Sequence, residues 1–164
     1  MTPSCTIPAP RGPGSKATGA GRQRPAARER FVCDLMTEKV HTLTPKDDLA
    51  SLYDLVDSRR VRHVPIVDSE GEIVGLVTDR DLWRRALGAV EDLPLSVERD
   101  ILRRRRVRGI MATEPDVIEP GATLREAAEM LLESKVGCLP VVEGLHLVGI
   151  ITEADFVRDF LERG

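Results

Sequence analysis

Val61-Arg-His-Val-Pro-Ile-Val67 returns 75 residues later as Val136-Gly-Cys-Leu-Pro-Val-Val142. Other segments recur in the same order at an offset of 74 or 75 residues: Asp34-Leu-Met-Thr37 as Gly109-Ile-Met-Ala112, Leu43 to Leu49 as Ile118 to Leu124, and Gly75 to Asp81 as Gly149 to Asp155. A fixed period of this kind indicates an internal repeat. The chain therefore contains two homologous halves of about 55 residues each, and we expect them to fold alike.

Each half has the same predicted order of elements, β-α-β-β-α. A short extended segment precedes a helix that we expect Asp47 to open in the first half and Thr123 in the second. Apolar residues at i, i+3, i+4 and i+7 spacing mark one face of these helices. A β-hairpin and a second helix follow; the predicted hairpin strands are Val64 to Val67, Ile73 to Val77, Leu139 to Val142, and Leu147 to Ile151.

This order predicts an α+β fold, an α/β two-layer arrangement in which helices cover one side of each small sheet. A unit of about 55 residues is marginal alone, so the two halves should pack on each other as an intramolecular pair. We divide the chain into a disordered basic tail rich in Pro, Gly and Ala (1–29), a first domain (30–92), a linker helix (93–108) and a second domain (109–164). The linker carries a narrow apolar stripe of Val97, Ile101 and Leu102.

Composition excludes several classes of protein. The 164 residues are 41% apolar, yet no apolar run approaches the length of about 18 residues that a membrane span needs. Three cysteines are an odd number without CxxC spacing, so we expect neither a disulfide framework nor a zinc knuckle, and a reduced cytoplasmic protein. The first 30 residues carry a net charge of +5 and the remainder −8, an acidic balance that disfavours binding to a phosphate backbone.

The repeated sequence motifs, in this order, resemble a tandem pair of CBS domains, the regulatory module named after cystathionine β-synthase. The resemblance covers roughly residues 31–164 and includes no attached enzyme or channel. It implies a non-enzymatic sensor of AMP, ADP, ATP or S-adenosylmethionine, bound in clefts between the two repeats, with energy sensing as one role. It also implies a homodimer and a regulated protein that remains to be identified, with no cofactor besides the regulatory ligand and no membrane.

The family's word Gly-x-x-Thr-x-x-Asp occurs in both halves, with Thr78 and Asp81 in the first and Thr152 and Asp155 in the second. A Thr followed three residues later by an acid is also a capping box, as we expect at Thr123. In the resemblance, Asp accepts from the ribose hydroxyls and Thr holds the sugar or phosphate. A cap and a ligand clamp are compatible in the same residues.

The resemblance further implies a base pocket built from backbone and apolar side chains. It places Thr44, Val61 and Arg62 opposite the second Thr/Asp pair, and Val136, Gly137 and Glu119 opposite the first. Leu76 and Ile150 would pack against the adenine, or else form ordinary sheet core. Arg62 and His63 are candidate phosphate contacts.

Two other functions remain open. The chain could be a ligand-free interaction or dimerisation module in which the Thr and Asp residues only cap helices. Nucleic-acid binding through the tail and the run from Arg103 to Arg106 is a third reading that the acidic folded part disfavours. The residues give no catalytic or metal-binding constellation, and Cys138, two residues before Pro140, is expected to be a buried packing residue.

Overall fold

In the computed structural model, which describes residues 29–87 and 95–163, each half forms a helix, a hairpin and a second helix. The elements of the first half and the linker are α1 (Leu49–Arg59), β1 (His63–Val67), β2 (Ile73–Thr78), α2 (Asp79–Asp81), which continues as a π-helical segment (Leu82–Leu87), and α3 (Leu95–Arg104). Those of the second half are β3 (Ala112–Thr113), α4 (Leu124–Ser134), β4 (Cys138–Glu143), β5 (His146–Thr152) and α5 (Glu153–Arg163). The predicted α+β fold is confirmed.

The first helix of each half begins at an N-cap residue whose side chain is Asp or Thr, as predicted. Thr123 caps α4 as expected, since its hydroxyl accepts the Glu126 N–H at 3.1 Å. The prediction for α1 was wrong by one residue, because Asp48 is the cap. The Asp47 carboxylate instead accepts the Thr44 N–H at 2.6 Å, in the turn before the helix.

The two hairpins have matching registers. Both are antiparallel, and both contain an irregularity at the same point of their first strand, between Ile66 and Val67 and between Val141 and Val142. Their turns use glycines with positive φ, Gly71 at 82° and Gly144 at 67°. A residue without a Cβ adopts this conformation at little cost, so the turns tolerate the single-residue difference in length between the halves.

Each half contributes a backbone segment that pairs with the sheet of the other half, as a short strand in the first sheet and as an isolated bridge in the second. β3, from the second half, pairs with β2 of the first, with Leu76 opposite Ala112. Reciprocally, Thr37 exchanges two backbone hydrogen bonds with Ile150 in β5, at 2.9 and 3.0 Å. The predicted first extended segments instead make single parallel bridges within their own halves, Leu43 to Ile66 and Ile118 to Val141.

The two hydrophobic cores follow this exchange. The first core contains Val107 and Ile110, which lie at or beyond the end of the linker, together with Leu102 of α3. The second core contains Val32 from the beginning of the first half. Val32 and Val107 are both fully buried. The packing units are thus exchanged relative to the sequence repeats, and the domain boundaries along the sequence stay a prediction.

The linker helix α3 packs on α1 and completes the first core. Of its predicted stripe, Leu102 is buried, Ile101 is partly buried and Val97 is 42% exposed. Arg99 donates from Nη2 to both carboxylate oxygens of Asp54 in α1, at 2.8 and 2.9 Å. The predicted boundary between residues 92 and 93 and nearly all of the predicted tail lie outside the described residues.

The cysteines differ from one another. Cys138 is free and buried, and burial raises the pKa of its thiol to about 12, so it is unreactive at neutral pH. Cys33 is disulfide-bonded, against the expectation of a fully reduced chain. Within the described ranges no helix is long and apolar enough to cross a membrane, and no group of three or more His, Cys, Asp or Glu residues could hold a metal ion.

Candidate functional site

The first Thr/Asp pair closes a capping box where β2 passes into α2. The Thr78 hydroxyl accepts the Asp81 N–H at 3.2 Å. In return, Asp81 Oδ2 accepts from the Thr78 N–H at 3.0 Å and from its hydroxyl at 2.7 Å. Its other oxygen, Oδ1, lies 3.7 Å from Arg85 Nε. One carboxylate oxygen therefore serves the cap while the other faces a cation one turn later.

In the second pair, the acid accepts from its Thr in the same way but is more enclosed. Asp155 Oδ2 accepts from the Thr152 N–H and from its hydroxyl, both at 2.8 Å. Oδ1 accepts from Arg158 Nη1 at 3.1 Å. The Asp155 side chain is 8% exposed, whereas that of Asp81 is 27% exposed. Asp155 is thus a nearly buried carboxylate whose orientation is fixed by Thr152 and whose charge is balanced by one exposed arginine.

A third Thr-x-x-acid motif, at the start of α4, can be compared with the two Thr/Asp pairs. Thr123 and Glu126 form the capping box expected from the sequence, with Glu126 Oε2 accepting from the Thr123 N–H at 2.7 Å. These hydrogen bonds lower the pKa of the Glu126 carboxyl. Glu126 is exposed on α4 and has no arginine ion pair among the described residues. The same local geometry therefore occurs once as a cap alone and twice beside an arginine.

Each Thr/Asp helix start donates a hydrogen bond to the strand entry of its own repeat, and the two strand entries meet through His63 and Gly137. The Asp79 N–H donates to the Arg62 carbonyl at 2.9 Å, and the Glu153 N–H donates to the Gly137 carbonyl at 3.3 Å. His63 follows Arg62 and projects onto Gly137 of the other half. A Cβ built on Gly137 would lie 2.9 Å from His63 Nε2, so only a glycine fits there without a shift. This contact joins the first residue of β1 to the residue that directly precedes β4 in the other half.

His63 is a partly buried imidazole at this contact. Burial lowers its pKa below the ordinary 6.5, although the Asp79 and Glu153 carboxylates oppose the shift. The position is occupied by Cys138 in the second half, so the two sides of the contact are chemically different. The imidazole is neutral at pH 7 in this arrangement, which weakens it as a phosphate donor.

The other predicted site residues lie in several parts of the two repeats. Leu76 and Ile150 lie in the central strands, each opposite the segment contributed by the other half. Arg62 is exposed and Val61 packs against the first core. Val136 packs against the second core directly before Gly137, Thr44 lies in the turn before α1, and Glu119 lies near α4.

Sequence reasoning missed the two arginines that face the Asp81 and Asp155 carboxylates. Arg85 and Arg158 follow these acids by four and three residues, the spacings at which side chains meet on one helix face. That spacing was the available signal. It also missed the role of Gly75 and Gly149, which begin the family word. At each of these glycines, backbone and methionine atoms of the paired segment from the other half lie too close to leave room for a side chain.

Comparison with known proteins identifies the fold. The CBS-domain family matches this chain twice, over residues 32–82 and 107–162. This chain belongs to the CBS-domain family. It carries the tandem pair of that regulatory module, as the resemblance implied. The two CBS repeats are the two halves described above, and in each the Thr/Asp motif begins at the last residue of the second hairpin strand.

Related CBS proteins resemble the chain over most of its length. A CBS domain-containing protein from Dictyostelium discoideum is 30% identical over 77% of this chain and 88% of its own. The crystal structure of a putative acetoin utilization protein (AcuB) from Vibrio cholerae has a TM-score of 0.69 and 33% identity, covering 82% of this chain and 92% of that one. The structure of CBSX2 in complex with AMP has a TM-score of 0.69 and 28% identity, covering 82% and 98%.

Some curated relatives are longer than the chain. It spans 44% of the length of a 29% identical protein from Methanocaldococcus jannaschii and 64% of the length of CBSX1 from Arabidopsis thaliana. The shared part is the CBS pair.

Proposed function

We propose that this CBS pair is a regulatory sensor that binds an adenosine-containing ligand, AMP, ADP, ATP or S-adenosylmethionine, between its two repeats. The observation that carries the proposal is the nearly buried Asp155 carboxylate at the start of α5, oriented by Thr152. Thr152 pairs with Cys138, which directly follows the residue that His63 of the other repeat contacts. The AMP complex of CBSX2, a structural relative at 28% identity, supports the choice of ligand class.

The carboxylate of Asp155 has the chemistry of a ribose clamp. Oδ2 is held by the Thr152 N–H and hydroxyl, so the plane of the carboxylate is fixed before a ligand arrives. Oδ1 has only the exposed Arg158 as donor and retains lone pairs for a diol. A charged, preorganised acceptor binds hydroxyl groups more strongly than a neutral one does. The exposed guanidinium of Arg158, which donates to Oδ1, is the candidate phosphate contact in this proposal.

The two clefts should differ in affinity. Asp81 is more exposed than Asp155, and its Oδ1 is 3.7 Å from Arg85, beyond hydrogen-bond distance. The carboxylate of Asp81 is therefore less firmly oriented and better hydrated. We expect the Asp155 cleft to bind more tightly, because desolvation strengthens an electrostatic contact.

The direct test is thermal unfolding with AMP, ADP, ATP and S-adenosylmethionine, one at a time, followed by calorimetric titration with any compound that shifts Tm. A ligand of the folded state adds about 2.7 kcal/mol at 100 times its Kd. For a domain of this size that is a rise of roughly 5–10 °C. Asp155→Asn keeps an oxygen for the Thr152 N–H but removes the charge, and it should weaken binding about 10- to 100-fold.

Glu126→Gln is the matched control, because it changes a capping acid of the same local geometry away from the repeat contact. It should lower stability slightly and leave the affinity unchanged. Equal affinity in Asp155→Asn and the unaltered chain would contradict the clamp. If none of the four compounds moves Tm, the chain is better described as a ligand-free interaction module, and the Thr/Asp words are caps alone.

We further propose that two copies associate through α5. Val157, Phe160 and Leu161 form one apolar face of this helix and are 60%, 74% and 75% exposed. The equivalent helix of the first repeat exposes Trp83 to 47% at the position aligned with Val157. The exposed apolar face of α5 suits a symmetric interface with a second chain.

A further inference from the structure

A groove runs beside α4 and shares one residue, Glu119, with the predicted base pocket. It has a volume of about 700 Å³ and none of the Thr and Asp residues of the clefts line it. Its apolar lining is Ile118, Ala122 and Met130. Its acidic lining is Glu119, Glu126, Glu129 and Glu133. An apolar floor with a rim of one charge suits an extended segment that is basic and partly apolar.

Most of this negative charge lacks a partner. Glu129 lies 3.9 Å from Arg125, a long and exposed pair, and one oxygen of Glu126 serves the helix cap. The carboxylates of Glu119 and Glu133 make no hydrogen bond or ion pair with the residues that the structure describes. Like charges three and four residues apart repel on a helix face. A cationic occupant would remove that repulsion.

The N-terminal end of the described chain runs along one side of the groove. The Val32 N–H donates to the carbonyl of Ala122, a groove residue, at 2.8 Å. One step nearer the N-terminus, the Arg30 carbonyl accepts the N–H of Leu124 at 2.9 Å. This pairing is antiparallel, so the chain before residue 30 is directed toward the first turn of α4. Glu126, on that turn, also lines the groove.

The segment that precedes this point is basic. Residues 1–28 contain five Arg or Lys residues and no Asp or Glu, and Arg22, Arg24 and Arg28 fall in the last seven of them. An extended chain covers roughly 20 Å over six residues. The groove face of α4 from Glu126 to Glu133 is only about 10 Å long. The three arginines can therefore reach the whole acidic rim without moving residue 30.

We propose that residues 22–28 of the same chain bind along this groove, with their arginines on its glutamate rim and Pro25, Ala26 and Ala27 against its apolar floor. Tethering raises the local concentration of the segment, so weak contacts suffice for occupancy. Because the rim carboxylates are exposed, salt screens the attraction. At about 1 M salt the screening length is about 3 Å, and the segment should leave the groove.

Backbone amide spectra of the full chain test the proposal. In Arg22→Glu/Arg24→Glu, the amide signals of Gly121, Ala122 and Met130 should move from their positions in the unaltered chain. Arg11→Glu/Lys16→Glu is the matched control, with the same change of charge in the same tail, and should leave these signals in place. About 1 M NaCl should shift the signals of the unaltered chain toward those of Arg22→Glu/Arg24→Glu.

A charge exchange supplies the second arm. Glu119→Arg/Glu133→Arg alone should release the segment, and its combination with Arg22→Glu/Arg24→Glu should restore occupancy. Identical groove signals in Arg22→Glu/Arg24→Glu and the unaltered chain would overturn the proposal. So would groove signals that move on dilution from 400 to 20 μM (roughly a twentyfold range), because occupancy within one chain does not depend on concentration while binding between copies does.

Discussion

Gly75→Ala probes the exchange of segments between the CBS repeats. A Cβ at residue 75 would lie 2.9 Å from the Ala112 carbonyl oxygen and 3.0 Å from Met111 Sδ. Ala112 begins β3, which pairs with β2 through Gly75 and Thr113, and Met111 directly precedes it. The methionine can move, but the carbonyl belongs to a backbone held in the sheet. β3 must therefore shift.

The expected loss of stability follows from two opposing effects. Overpacking of this kind costs about 1–3 kcal/mol. Replacing a strand glycine by alanine recovers about 0.5–1 kcal/mol of conformational entropy. The net loss should be about 1–2 kcal/mol, which corresponds to a fall in Tm of roughly 3–8 °C for a domain of this size.

Urea unfolding of the purified chain, with circular dichroism as the signal, measures the free energy of unfolding. Gly121→Ala is the control, since a Cβ there meets nothing within 4 Å. It should change stability by no more than about 0.5 kcal/mol. If Gly75→Ala is as stable as Gly121→Ala, with an unchanged m-value, β3 is not held where the structure has it and the reasoning fails.

Two further predictions concern His63 and α5. Burial lowers the pKa of His63 in the folded state, so the unfolded chain takes up a proton first as pH falls through about 6.5, and stability should drop there with a slope of at most about 1.4 kcal/mol per pH unit. His63→Gln should lose that part of the slope; equal slopes for both chains between pH 7.5 and 5.5 would contradict the buried neutral imidazole. Phe160→Glu should convert a dimer to a monomer in sedimentation velocity, while Leu132→Glu, equally exposed at 74% but on α4, should stay dimeric. A dimer that survives Phe160→Glu would place the interface elsewhere.

Local features of the sequence were sufficient for the elements and for the family. Thr123 caps α4 because a hydroxyl three residues before an acid satisfies free N–H groups at a helix start, and this requires no distant partner. The hairpins follow from the apolar runs on either side of a glycine turn. The offset of 75 residues was enough to predict two homologous halves, and the motifs repeated at that offset identified the CBS pair.

The candidate site was predictable only in part. Thr78, Asp81, Thr152 and Asp155 could be named from their spacing, and the structure adds that each acid shares its charge with an arginine of the same helix. The difference in burial between the two acids could not be predicted, since the surrounding words are nearly the same. Burial depends on what packs over each helix start, which no local pattern specifies.

The exchange of segments was decided by the tertiary structure alone. The segments around Val32 and Val107 are alike in sequence and have apolar residues at the same spacing, so each could fill either core. The cores are nearly equivalent, and a short segment carries too few contacts to select one by its own pattern. The close approach at Gly75 and Gly149 is made by the segment of the other repeat, a contact that exists only in the folded pair. The sequence by itself determined two CBS repeats and their helix caps, and the packing of each repeat's first segment on the other determined the single folded pair.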